Sequence, residues 1–363
     1  MGLKSFFESL KSRNTVLPNL IEINDQHVVK TKSGEESEEQ LGKINPEKDY
    51  FVVRVNEMFL DKERKWFSEI EPMVVCLTTY IYGNEEIDNP FIVGRSLLQA
   101  KLKEIPQGMV FRDTRVAGIH PFSGGRLILG IVLCKTEVEN HLTDSIEFIE
   151  SISGVLNQNL KSLVGNYLPI ANVVVSGIDK LFNAKGVTPL FGFRREYDAD
   201  IGEGVNAGYF AMIDKSPVAL DPGNFFVKDD RLFFGDVMES AVEFYKTEKG
   251  KGLSYVLFSI KRSDTRSDVK TLPVFKQYNR ILNEIKAVAE VSQEHKDRIK
   301  SMLRVLSIEM RQSPDLTEPQ AEKLMVEYIE RIQGLIEPKF NFGASSKQPE
   351  DKWSILDKTI TSI

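Results

Sequence analysis

From Tyr278 to Leu306 the chain carries Tyr278, Ile281, Ile285, Val288, Ile299, Met302 and Leu306 at alternating steps of four and three, with the polar pair Ser292 and His295 set into the same row. Only a helix places such residues on one side, so this row constrains the fold more than any other stretch. It predicts a helix from Val274 onward with one apolar seam. Ser313-Pro314 breaks the pattern, and Thr317-Glu318-Pro319-Gln320 then reads as a capping box with proline in the first turn. A second helix follows, with Leu324, Met325, Tyr328, Ile329, Ile332 and Ile336 on one side. The expectation is a helical hairpin over residues 271–342. Ile285 and Ile299, within the seam, are the positions expected to meet a partner. His295 is expected as an ordinary hydrogen-bonded or rim side chain, although a histidine in a seam resists charging and can set the register.

Upstream the period changes from helical to that of strands. Runs rich in Val, Ile, Phe and Tyr occur at Tyr50 to Phe59, Met73 to Tyr82, Met109 to Ile119 and Arg126 to Lys135, separated by Pro and Gly turns. Pro121 to Gly125 joins the last two as a hairpin. A second set follows at Leu190 to Tyr197, Gly208 to Asp214, Asn224 to Lys228, Arg231 to Phe234 and Leu253 to Arg262, with Asp229-Asp230 as a tight turn. Between the sets, Thr143 caps a helical stretch through Ile146, Ile149, Ile152, Leu156 and Leu160, and the segment from Ile170 to Phe182 reads as helix or strand, since Val173-Val174-Val175 suits either, with helix the preferred reading. Gly94 to Lys103 reads as a short covering helix.

These elements predict an α+β fold: antiparallel, sandwich-like β-sheets interrupted by a central helical segment and followed by the C-terminal helical hairpin. The chain accordingly divides into an amphipathic start with a polar arm (residues 1–48), a β-rich body (49–270, with its helical segment at about 143–182), the hairpin (271–342), and a linker with an apolar tail (343–363). In the tail, Trp353, Leu356, Ile360 and Ile363 share a helical face, as a tethered docking peptide would.

Chemistry-bearing motifs are sparse. A P-loop, a dinucleotide fingerprint, a nucleophile elbow and a zincin pair are all absent from the sequence. Of four histidines, His120 stands at a strand end beside Gly124-Gly125, and an enzyme site near it is one alternative. His27 and His141 have no neighbour in sequence that would tune them as bases. Asp198, Asp200 and Glu203 alternate with glycines, the oxygen chemistry that Ca²⁺ requires. The spacing fails the EF-hand loop, so a solvated acidic turn is the plainer reading, and a Ca²⁺-dependent or ligand-binding sandwich, C2-like by analogy of architecture only, is the other alternative. No cofactor is expected.

The net charge of −6 argues against general affinity for nucleic acid. Two cysteines, Cys76 and Cys134, sit in apolar strand-like runs and are expected free and buried, which fits a reducing cytoplasm. No apolar stretch is long enough to span a membrane, and peripheral contact stays open. The leading functional expectation is a non-enzymatic adaptor or structural subunit that binds a protein partner, or its own copy, through the C-terminal helices and tail.

Overall fold

The computed structural model describes residues 18–29, 40–61, 64–65, 68–94, 109–110, 114–137, 187–198, 204–216, 219–288 and 291–340. In chain order the strands are β1 (Asn19–Ile23), β2 (Val28–Val29), β3 (Gly42–Lys43), β4 (Tyr50–Phe59), β5 (Arg64–Lys65), β6 (Ser68–Tyr82), β7 (Glu85–Gly94), β8 (Met109–Val110), β9 (Arg115–Pro121), β10 (Arg126–Glu137), β11 (Val187–Asp198), β12 (Asn206–Ile213), β13 (Phe225–Lys228), β14 (Arg231–Phe234), β15 (Val242–Glu243) and β16 (Tyr255–Ser263). The helices α1 (Pro273–Ala287), α2 (Gln293–Arg311) and α3 (Glu318–Phe340) follow. The α+β class, with antiparallel sheets and a C-terminal helical region, is as the sequence predicts. The stretch expected as helix at 143–182, the N-terminal amphipathic start, most of the polar arm, residues 95–103 and the tail lie outside the described residues.

Two compact units emerge, residues 1–271 with 313–320, and residues 272–312 with 321–363. The first holds three sheets. A seven-stranded central sheet runs β1-β12-β16-β4, with β8 and β9 both on the far side of β4 and β3 beside β12. A five-stranded sheet runs β11-β10-β6, with β5 and β7 on β6, and a four-stranded sheet runs β15-β14-β13-β2. The β13–β2 pair is parallel, an exception to the antiparallel rule.

Apolar side chains leave both faces of the central sheet. On one face Phe51, Val53, Val55, Phe210, Val256, Phe258 and Ile260 meet Val74, Cys76, Leu129, Ile131 and Phe193 of the five-stranded sheet. Phe258 is stacked between Phe193 and Phe210, at 5.3 and 5.2 Å between ring centroids. On the other face Tyr209, Ala211, Ile213, Tyr255 and Leu257 meet Phe225, Val227, Leu232 and Phe244. Each such side chain contributes about 1.5–3 kcal/mol on burial. A strand covered on both sides needs an unbroken apolar run rather than an alternating one, which is why β4 reads Tyr50-Phe51-Val52-Val53.

The strands that the sequence does not predict are β1 and β7 and the two-residue strands β2, β3, β5 and β15. The first half of β7, Glu85 to Pro90, is rich in residues that disfavour strands, and it is paired on one side only, to β6. An edge strand needs no second partner and tolerates proline.

In the second unit the seam is not one helix. α1 ends at Ala287, Val288 turns extended, and Ser292 caps α2 by accepting the His295 amide at 3.3 Å. The polar interruption in the apolar row is therefore a helix start, with the Ser292 hydroxyl also bonded to His295 Nδ1 at 2.8 Å. The buried rows are Val274, Tyr278, Ile281, Leu282 and Ile285 on α1, and Ile299, Leu303, Leu306 and Met310 on α2. On α3, Met325, Tyr328, Ile332 and Ile336 are buried as the spacing predicts. Tyr278 stacks on Tyr328 at 3.7 Å, and Arg298 pairs with Glu284 at 3.1 Å. Among the described residues no helix is long and apolar enough to cross a membrane.

Candidate functional site

The most unusual chemistry in the described residues lies where β4 bulges beneath the β13–β14 hairpin. Leu257 of β16 pairs with Glu57, but the next residue, Phe258, pairs with Val55, so Asn56 is an extra residue in β4. A bulge of this kind turns two neighbouring side chains toward one face. Asn56 and Glu57 both meet the hairpin: Asn56 Nδ2 donates to Asp230 Oδ1 at 3.1 Å, and Glu57 Oε2 accepts the Leu232 amide at 2.8 Å. Asp229 and Asp230 have φ of 51° and 60°, the left-handed pair that a two-residue hairpin turn requires. Asp230 also accepts the Tyr209 hydroxyl at 2.9 Å, so tertiary hydrogen bonds offset the cost of that conformation.

Glu57 is fully buried. Burial pushes its carboxyl up to about 7, against the lowering pull of the Leu232 amide, the Arg231 guanidinium and the adjacent Tyr255 hydroxyl. Arg231 Nε stands 4.0 Å from Glu57 Oε1, while its Nη1 is bonded to Glu243. Glu243 is also held by Lys246 and by the Tyr245 hydroxyl at 3.1 Å. Although burial opposes it, the Lys246 and Arg231 charges keep Glu243 below the usual carboxylate range. The Tyr255 hydroxyl lies beside Glu57, close enough to interact with its carboxyl, and Asn56 Oδ1 is buried without a hydrogen-bond partner. Burial and Glu57 push the Tyr255 phenol well above its ordinary range. One guanidinium thus lies between two carboxyl groups, one charged and one poised near neutrality.

A second convergence surrounds His120 at the end of β9. Its ring stacks on Tyr80 at 4.8 Å, meets Tyr82 edge-on at 5.7 Å and lies 6.2 Å from Phe51. Burial, then the Arg266 and Arg115 charges, pushes the imidazole down to about 4, against the raising effect of Asp268. His120 is therefore neutral above about pH 5, and its Nδ1 has no hydrogen-bond partner. The carboxylate nearby, Asp268, is engaged in a two-bond pair with Arg266 at 2.7 and 2.9 Å. Arg266 also donates to the Asp315 carbonyl at 2.9 Å, and Tyr82 donates to the Asp315 carboxylate at 2.9 Å. The ring is packed as a member of an aromatic cluster.

The residues expected from sequence are distributed differently. Asp198 ends β11 opposite Arg126, whereas Asp200 and Glu203 lie outside the described residues. Among the described residues no three His, Cys, Asp or Glu side chains group as metal ligands. Ile285 and Ile299, each 1% exposed, are buried among the helices of their own unit. Trp353, Leu356, Ile360 and Ile363 lie outside the described residues. His27 bonds the Phe225 carbonyl at 3.0 Å and stacks on Phe226. Cys76 and Cys134 are free and fully buried, and burial alone pushes their thiols far up. The helices show outward apolar side chains that the sequence reading did not single out: Val305 (44% exposed) and Ile308 (55%) on α2, and Val326 (54%) on α3.

Asn56, Glu57, Arg231 and Glu243 were not found from sequence. The available signal is Glu57 as the lone acid in a largely apolar stretch from Tyr50 to Phe59, beside Arg54 and Asn56. Compared with protein-family models, with curated proteins and with solved structures, the chain finds no match.

Proposed function

We propose that this chain is a non-enzymatic interaction or assembly protein of the cytoplasm, which binds a protein partner through its C-terminal helices and tail. The observation that carries the reading is the outward set Val305, Ile308 and Val326, β-branched side chains left 44–55% exposed on two helices whose inner rows are already filled. Val305 and Ile308 are one turn apart on α2 and share a face. Such side chains contribute to association when a partner removes them from water. The contact uses these outward positions, because Ile285 and Ile299 already pack inside, and the tail residues Trp353, Leu356, Ile360 and Ile363 supply further apolar side chains to the partner. The unpaired, buried Cys76 and Cys134 support a reducing compartment.

The test is affinity capture with the full chain, with Val305→Asp/Ile308→Asp, and with a chain ending at Asn341, read by mass spectrometry and by the melting curve of each protein. The expected result is a partner captured by the full chain and lost with the double substitution while its melting curve stays in place. A partner retained by all three proteins would overturn the reading.

A further inference from the structure

We propose that Glu57, Arg231 and Glu243 form a proton-operated latch between the central and four-stranded sheets, in which Arg231 serves Glu243 while Glu57 holds a proton and is drawn to Glu57 when that proton leaves. The inference is independent of any partner. It rests first on geometry. Arg231 and Leu232 begin β14, Glu243 ends β15 and Glu57 lies in the bulge of β4, so one guanidinium and one backbone amide join the four-stranded sheet to the central one.

The groups facing Glu57 come from every element around it: Arg231 from β14, Tyr255 from β16, Glu243 from β15 with its own partners Tyr245 and Lys246, and Asp230 through Asn56. Protonated, Glu57 is neutral, can accept the Leu232 amide through its carbonyl oxygen, and leaves Arg231 to Glu243. When the proton passes to solvent, a full negative charge remains in a site with no exposed surface, where it needs a counter-charge. Arg231 is the cation at hand, with Nε already 4.0 Å from Glu57 Oε1. Glu243 can release it, since Lys246 and Tyr245 remain as partners.

The consequence is a hairpin whose attachment depends on pH. In an opened hairpin Glu57 meets water and ionises at the ordinary carboxylate position, about 4.5, whereas in the closed layer it ionises near 7. The closed form therefore binds the extra proton between those two values. Its stability is fully present below about pH 4.5, is lost progressively as pH rises toward 7, and is level above that. Opening grows about tenfold per pH unit through the window.

The experiment uses the full chain with ¹³C-carboxyl-labelled glutamate, titrated from pH 4.5 to 8.5, with Glu57→Gln assigning the resonance. Hydrogen exchange of residues 225–234, corrected for intrinsic rates, is measured over the same range. The latch predicts a Glu57 midpoint near neutrality, a fall of that midpoint by about one unit in Glu243→Gln, where Arg231 has lost its other carboxylate, and an opening that no longer varies with pH in Glu57→Gln. Ordinary carboxylate titration of Glu57, an unchanged midpoint in Glu243→Gln, or the same pH-dependent opening in Glu57→Gln would each overturn it. If Glu57→Gln does not fold, Glu57→Asp removes the labelled resonance for assignment, and the midpoint in Glu243→Gln decides the question.

Discussion

The Gln320 carboxamide closes two hydrogen bonds with the backbone of Arg266, donating from Nε2 to the carbonyl at 3.0 Å and accepting the amide hydrogen at 3.1 Å. Its oxygen also accepts the Tyr50 hydroxyl, and Tyr50 in turn accepts the Thr317 amide at 3.0 Å. One buried amide side chain thus satisfies both backbone groups of Arg266 in the loop after β16.

Replacing Gln320 by Ala leaves both backbone groups of Arg266 and the Tyr50 hydroxyl short of partners, and the expected loss is roughly 3 kcal/mol of unfolding free energy. Tyr50→Phe should cost less, about 1–2 kcal/mol, because it orphans only the Thr317 amide while the Gln320 oxygen keeps the Arg266 amide. Urea denaturation of both proteins checks the order; equal losses below about 0.5 kcal/mol would mean the network is wet.

Gly118 has φ of 91°, and a Cβ built there would stand 2.3 Å from the Phe51 carbonyl oxygen. Gly252 has a similar φ of 81° with nothing within 4 Å. Gly118→Ala should therefore cost about 3 kcal/mol or more, and Gly252→Ala about 1 kcal/mol. Their difference in thermal midpoint isolates the steric clash from the backbone preference common to both.

Two buried groups bias the pH dependence of global stability in opposite senses. Glu57 is raised from 4.5 to about 7, so its contribution is full below pH 4.5 and falls away toward pH 7, by roughly 3 kcal/mol. His120 is lowered from 6.5 to about 4, so its contribution is full above pH 6.5 and falls away toward pH 4. Over pH 5–6 these slopes oppose each other. Glu57→Gln should lose stability as pH drops through that window, and His120→Phe should lose it as pH rises. Denaturant titrations at several pH values separate the two, and parallel pH profiles for both variants would contradict the assignment.

Ser292→Ala removes the side-chain acceptor at the start of α2, and a loss of about 1 kcal/mol is expected. The change should appear as faster amide exchange in residues 293–296, with α3 little affected. Uniform protection loss across all three helices would instead mark Ser292 as part of a larger packing contact.

Elements shaped by one dominant physical demand are legible in the sequence. β4 and β14 have the bounds that the sequence predicts: β4 opens on the apolar run Tyr50 to Val53 and is rich in β-branched and aromatic residues through to Phe59, and β14 is fixed at its start by the Asp229-Asp230 turn. Legibility ends where a residue answers a distant one. Thr317 to Gln320 did start a helix, but Gln320 turns to Arg266 rather than back to the Thr317 amide, because Tyr50 takes that amide from across the fold. Likewise Ser292 and His295 were placed in a continuous seam, since periodicity alone cannot tell an interrupted row from a new helix beginning in register. Glu57 is not legible in the sequence because its role depends on a bulge, and a bulge depends on the partner strand.

Tyr50 and Gln320 are 270 residues apart in the chain, and β4 is flanked in its sheet by β16. During synthesis β4 leaves the ribosome long before β16 exists, and although β8 and β9 follow sooner on its other side, one edge of the strand must wait without its hydrogen bonds. The sheet unit cannot be finished until residue 320 has emerged, well into the helical region. A nascent chain of this kind depends on whatever shields Tyr50 to Phe59 in the interval, and a stop codon placed anywhere before the start of α3 would leave that strand's far end unfastened.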